Sequence, residues 1–264
     1  MLITKKEPPT VAIHQQGHAS FSDRATLAEA RCAYYAACTH IDHQIRLAIG
    51  TLREEGLLDD TIVMFIADHG EMLGNHGLFA KDVLYEDSAR IPMIIVPTAG
   101  DSRWSGPADT ATGVASRPAT DDRLADICDV VPTLLDLAGI DIPDSIERRS
   151  LCGDDSRALL YGEHWEDDRA TRMVRDHHYK LIYYPVGNRL QLFDLVDDPD
   201  ELHDVASQRA MTPHRERLTA ALIERLYGDD QEWVADGTLI GRPEPPFVPV
   251  PDRGIGGQRG WRFV

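Results

Sequence analysis

From Ser22 to about Gly56, apolar residues recur at Leu27, Ala30, Tyr34, Cys38, Ile41, Ile45, Ile49 and Leu52. A three-and-four spacing of this kind predicts one long amphipathic helix. Asp59-Asp60 then leads into Thr61 to Ala67, an unbroken apolar and β-branched run of the kind found in strands covered on both faces. A second such run, Ile91 to Val96, follows a connection of about two dozen residues, longer than ordinary loops and therefore a candidate functional segment. Gly100 to Arg123 is rich in Ser, Thr, Pro, Gly and Asp and reads as irregular. Asp129 to Gly139 reads as a short helix, capped by Asp129, tolerant of Pro132 in its first turn and ended by Gly139.

Past Pro143 the pattern shortens to Ala158 to Gly162, Arg172 to Arg175, Tyr179 to Tyr184 and Leu190 to Leu195, with turn signals between them. These runs predict an antiparallel meander, followed by a helix from about Pro213 to Tyr227. Pro243, Pro245, Pro246, Pro249 and Pro251 leave the final stretch irregular. Helix followed by buried strand marks the fold class as α/β. The expected division is an α/β layer over residues 1–142, a small antiparallel sheet plus helix over 143–228, and an irregular Pro/Gly-rich tail over 229–264.

Composition narrows the function classes. A chain of 264 residues with 42% hydrophobic content can bury a sizeable core. Its 44 Asp plus Glu against 27 Lys plus Arg give a net charge of −17, which repels a phosphate backbone, so nucleic acid is not an expected partner. No window approaches the roughly 18 to 20 continuous apolar residues of a membrane span, and no apolar stretch follows Lys5-Lys6. Cys32, Cys38, Cys128 and Cys152 fit neither a zinc pattern nor a dense disulfide framework. They read as reduced thiols, and the expected location is cytoplasmic.

The chemistry gathers after the first strand. The run ends in Asp68-His69-Gly70, and ligands of α/β sheets bind beyond the carboxyl ends of strands. Asp supplies a hard oxygen and His a borderline nitrogen, a pair suited to a divalent cation, while Gly70 lets the backbone turn close by. Alone, the tripeptide is equally a strand-end turn. Glu71 to Lys81 then adds two glycines, His76 and Lys81 in one loop. An ammonium beside a metal can hold sulfuryl or phosphoryl oxygens, and His76 can donate a proton to a leaving oxygen or orient the group. A surface histidine and a solvated lysine are the alternatives. His14 and His18 read as loop histidines, His164 and the pair His177-His178 as filling the meander, and Asp229-Asp230 as a solvated turn.

Four blocks in order resemble the C-terminal half of the sulfatases and the related phosphonate monoester hydrolases, of the alkaline-phosphatase-like superfamily. They are Asp59 to Glu71; Gly77-Leu78-Phe79-Ala80-Lys81 with Tyr85-Glu86 and Arg90-Ile91-Pro92; Asp129 to Gly139; and Tyr179-Lys180-Leu181-Ile182 with Leu192 to Leu202. The resemblance implies an α/β sandwich portion followed by a small antiparallel sheet and a C-terminal helix. It also implies that Asp68 and His69 bind a divalent metal, calcium foremost with manganese or magnesium as alternatives, and that Lys81 touches the oxyanion. The implied substrate is a small-molecule sulfate ester, or a phosphate or phosphonate ester in the sister branch. A formylglycine hydrate made from Cys or Ser is the implied nucleophile.

The family's nucleophile motif, Cys-x-Pro-Ser-Arg or Ser-x-Pro-x-Arg, is absent from this chain. Ser116-Arg117-Pro118-Ala119-Thr120 lacks the final Arg and falls on the wrong side of Asp68-His69. The expectation is a metal half-site with little hydrolysis of its own. A non-catalytic module is the alternative, either a homo-oligomer or a half that pairs with a missing N-terminal portion.

Overall fold

The computed structural model describes residues 24–101, 120–153 and 156–244. His14, His18 and Ser116 to Ala119 lie outside them. The chain divides into two compact units, one comprising residues 28–68 and 91–158, the other 1–27, 69–90 and 159–264. This division departs from the consecutive one expected above, because residues 69–90 cluster with the meander rather than with the strands on either side of them.

The long helix α1 spans Arg24–Glu54, from Ala28 onward in the unit of residues 28–68 and 91–158. Strands β1 (Val63–Ile66) and β2 (Met93–Val96) pair antiparallel, Val63 opposite Val96 and Ile66 opposite Met93. The apolar run at 61–67 predicts cover on both faces, but Phe65, Ile94 and Val96 are exposed, and among the described residues these two strands pair only with each other. Tyr34, Tyr35, Ile41, Ile45 and Leu47 of α1 are exposed as well. Helix α3 spans Val130–Leu137 behind a 3-10 turn at Ile127–Asp129. Its entry is capped one turn earlier than the sequence suggests: the Asp126 carboxylate accepts the Cys128 N–H at 2.9 Å, and the Asp129 carboxylate accepts the Asp126 N–H at 2.9 Å, a reciprocal capping box. Arg157 pairs with both acids, and Asp129 is fully enclosed.

The other unit is built on the predicted meander, β3 (Leu160–His164), β4 (Thr171–Arg175), β5 (Tyr179–Tyr184) and β6 (Arg189–Asp194), antiparallel in that order. All six residues of β5 are buried. Side chains alternate across a strand, so the run Tyr-Lys-Leu-Ile-Tyr-Tyr serves two faces. Tyr179, Leu181 and Tyr183 pack with Leu218 and Leu222 of helix α4 (Thr212–Ile223) and with Trp233. Ile182 and Tyr184 pack with Met72, Leu78, Leu84 and Tyr85 of the 69–90 segment. That second face is why the segment joins the meander.

Two expectations for this unit need correction. The tail is not irregular from residue 229: a 3-10 turn at Gly228–Trp233 leads into a short hairpin of β7 (Val234–Ala235) and β8 (Thr238–Leu239), and Trp233 and Leu239 are core residues. Nor is Asp229-Asp230 a solvated turn. Asp230 is buried and accepts two bonds from the Arg172 guanidinium, at 2.5 and 3.0 Å, a bidentate pair that holds the tail against β4. His177 and His178 sit exposed on the β4–β5 turn rather than within the sheet, and His178 Nε2 lies 3.1 Å from Asp194 Oδ1.

Candidate metal and anion site

Beyond β1 the Asp68 side chain is exposed, and His69 follows at the start of the folded-back segment. His69 Nδ1 lies 2.8 Å from the Gly70 carbonyl oxygen. A carbonyl only accepts, so Nδ1 carries the proton; in the neutral ring this puts the lone pair on Nε2, the tautomer a metal-binding imidazole uses when its other nitrogen is held by a carbonyl. The segment then closes on itself through the Met72 N–H on Ala80 O and the Gly74 N–H on Leu78 O, both 2.7 Å, with the Met72 side chain fully enclosed as an anchor.

Lys81 sits between two residues in left-handed backbone, Ala80 at φ 63° and Asp82 at φ 80°, and its side chain is exposed. Leu73 and His76 share that conformation, at φ 47° and 55°. Non-glycine residues adopt it at a cost, and several in one loop are a sign of a conformation held for a purpose. Asp82 Oδ1 lies 3.6 Å from His164 Nε2 at the end of β3. The strained turn thus meets the meander immediately beside Lys81.

His76 is engaged on two sides. Its Nε2 donates to the Asp200 carbonyl at 3.0 Å, and its ring stacks on Tyr85 with centroids 4.3 Å apart. The Nε2 proton is therefore committed to holding the loop, which leaves Nδ1 as the ring nitrogen outside that bond.

Sequence reasoning missed the residues that hold this loop in place. Lys180, the second residue of buried β5, has its Nζ 2.9 Å from Glu86 Oε1 and 2.8 Å from Glu201 Oε1, and Arg175 Nη1 is 2.8 Å from Glu86 Oε2. Lys180 and Arg175 stand opposite each other on β5 and β4, a like-charge pair that is unfavourable unless a carboxylate lies between them. Burial raises the Glu86 pKa, but Lys180 and Arg175 together outweigh it and hold the carboxyl below its ordinary range. For Glu201, burial wins over Lys180 and the pKa rises. A lysine inside an apolar strand run was the available signal, since a charge at a core position requires a partner.

A divalent cation fits these residues only as part of a larger donor set. Asp68 supplies a hard oxygen and His69 a tautomer with its lone pair on Nε2, yet among the described residues no group of three or more His, Cys, Asp or Glu could hold an ion, whereas calcium takes about six to eight oxygens.

A strand-end acid and imidazole are thus followed in sequence by a strained, lysine-bearing loop. The chain belongs to the sulfatase family. The family's sequence profile matches residues 5–140, and that of the N-sulphoglucosamine sulphohydrolase C-terminal region matches residues 74–227. The chain is 32% identical over 224 residues to an arylsulfatase of Clostridium perfringens, covering 83% of this chain and 44% of that protein. It is 32% identical over 199 residues to a choline-sulfatase of Rhizobium meliloti, covering 72% and 36%. Its fold is similar to a Bacteroides thetaiotaomicron crystal structure proposed to be a sulfatase, with TM-score 0.68, 23% identity and coverage of 81% and 47%. It is also similar to the phosphonate monoester hydrolase of Agrobacterium radiobacter, with TM-score 0.61, 22% identity and coverage of 75% and 41%. These are structures of the alkaline-phosphatase-like fold, and the chain spans less than half the length of the relatives just named.

Proposed function

We propose that this chain carries the cation and lysine side of a site that hydrolyses small-molecule sulfate esters. The observation that supports it most is the loop from His69 to Asp82, which holds Lys81 exposed between two left-handed residues a short distance in sequence from Asp68 and His69. Asp68 and His69 would hold a divalent cation, calcium or else manganese or magnesium, whose contribution when bound is Lewis-acid stabilisation of a sulfuryl oxygen. The Lys81 ammonium donates to the non-bridging oxygens and opposes the charge that builds on them during transfer. His76, its Nε2 proton held by Asp200, orients the loop, and acts on a leaving oxygen only as an imidazolium protonated at Nδ1.

In sulfuryl transfer of this type a formylglycine hydrate attacks sulfur, and the motif that supplies it is not among these 264 residues. Residues of such a site act as one unit, so this chain alone turns over little ester. The direct test is titration with inorganic sulfate in the presence of calcium, followed through the backbone amide resonances of residues 80–82. Wild type should saturate and Lys81→Ala should not. Equal sulfate affinity in the two proteins refutes the assignment, and hydrolysis of 4-nitrophenyl sulfate at ordinary enzyme rates refutes the claim of incompetence.

The phosphate or phosphonate branch is a second reading, favoured by histidine rather than asparagine after Asp68. A third is a half that pairs with another polypeptide. Supporting it, Tyr34, Tyr35, Ile41, Ile45 and Leu47 of α1 and Ile94 and Val96 of β2 are exposed, and the apolar core clusters among the described residues lie in the other unit. A monomer in sedimentation that leaves a hydrophobic dye dark would remove its basis.

A further inference from the structure

The buried charges around Lys180 call for a reason, because an apolar trio of the same volume holds two elements together as well as a buried ion network does. Their connections supply one. Glu201, only 3% exposed, turns its second oxygen, Oε2, to the backbone N–H of Glu86 at 2.5 Å. That N–H opens the short helix α2, Glu86–Ala89, whose start has no side-chain cap from its own N-cap residue, Tyr85. Two residues on, the Ser88 carbonyl accepts the N–H of Gly70 at 2.8 Å. The approach is close enough that a methyl group on Gly70 would lie 2.0 Å from the Asp87 carbonyl oxygen. Gly70 is also the residue whose own carbonyl takes the Nδ1 proton of His69. The adjacent Asp200 carbonyl holds His76, so one turn of chain, Asp200-Glu201, secures both the middle of the loop and the helix that follows it.

We propose that Glu201 and Lys180 are positioning residues for His69: they fix α2, α2 holds the Gly70 N–H and so the backbone of Gly70, and the Gly70 carbonyl in turn sets the ring orientation and tautomer of His69. The path runs through four contacts and joins residues more than a hundred positions apart in sequence to a candidate metal ligand. It deepens the functional reading given above and rests on it for the role of His69, but the geometric claim stands by itself. Lys180 neutralises Glu201 and Glu86 at once, Arg175 completes the balance, and Glu201 is left with one oxygen to spend on the α2 entrance.

The test is amide hydrogen exchange of the full chain together with the imidazole nitrogen shifts of His69, for two variants. In Glu201→Gln an amide oxygen still accepts the Glu86 N–H. In the charge-balanced pair Glu201→Leu with Lys180→Met it cannot. The Gln variant should keep Gly70 protection and the Nδ1–H signature of His69 near wild type. The Leu/Met variant should speed Gly70 exchange roughly tenfold or more, the scale of a lost helix cap over a buried donor, and average the two His69 tautomers, with the amides of β4 to β6 still protected. Unchanged Gly70 exchange and His69 shifts in the Leu/Met variant overturn the proposal. So does equal loss of protection at Gly70 and across β4 to β6, since the cluster is then a general support of the fold. Failure of wild type to bind sulfate or manganese would remove the functional reading and leave these exchange rates as the measure of the positioning claim.

Discussion

Replacing Gly70 with alanine asks the loop to do something its backbone does not permit. The added methyl would sit 2.0 Å from the Asp87 carbonyl oxygen and 2.9 Å from its carbon. Ordinary carbon-to-oxygen contacts begin near 3.3 Å, so α2 and the 70–71 backbone must part by about 1.3 Å. A separation of that size breaks the 2.8 Å bond from the Gly70 N–H to Ser88 O. Leaving such a donor without its partner costs about 1–3 kcal/mol, and overpacking a close contact costs a similar amount. Stiffening of the unfolded chain returns about 0.4–1 kcal/mol. The net loss is roughly 3 kcal/mol, or a fall in melting temperature on the order of 6–12 °C. Urea unfolding followed by tryptophan fluorescence reads it, since Trp165 and Trp233 both report on the unit that holds Gly70. A loss under about 0.5 kcal/mol, the scale of an ordinary surface change, would show that the close approach does not exist in solution.

Two further expectations concern charge. Glu201 has a raised pKa, so its contribution favours the fold at low pH and is lost as pH rises through the raised value; Glu86 has a lowered one, so its contribution is present above the ordinary 4.5 and is lost as pH falls through the lowered value. Asp176 and Asp194, also lowered, act in the same direction as Glu86. Unfolding free energy should therefore hold or rise slightly on acidification from neutrality and fall only below 4.5, with the early rise missing in Glu201→Gln; a steady decline from neutrality would contradict this. In the other unit, Arg157→Met leaves the fully enclosed Asp129 without its cation and should cost about 3 kcal/mol or more in urea titration. An effect near zero would mean that Asp129 is solvated.

Periodicity located α1, β1, β2 and all four meander strands, because repeat spacing reflects which side of an element meets the interior. It could not say how many sides do. The run at 61–67 has the composition of a strand covered twice, yet Phe65 is exposed, while Tyr179 to Tyr184 is the strand enclosed on both faces, with a lysine at its second position. Local patterns also could not place partners distant in sequence. Asp230 reads as a turn acid until Arg172 is set opposite it, and Glu201 reads as one acid in an acidic run until Lys180 and the Glu86 N–H are found on its two oxygens. Asp68, His69, His76 and Lys81 stood out because they cluster within a few residues of a strand end. Their supports did not, because the supports are spread across a hundred positions.

The interleaved division of the chain sets an order of events during synthesis. Residues 69–90 leave the ribosome well before the strands that cover them, and Lys180, Glu201 and Trp233 follow later still. Until then Met72, Leu78, Leu84 and Tyr85 have no partner face, so the nascent loop is a sticky, unfinished surface that waits for β4 to β6 to be made before it is put away. A ribosome that stalls before the meander releases a polypeptide whose lysine loop has nothing to lean on.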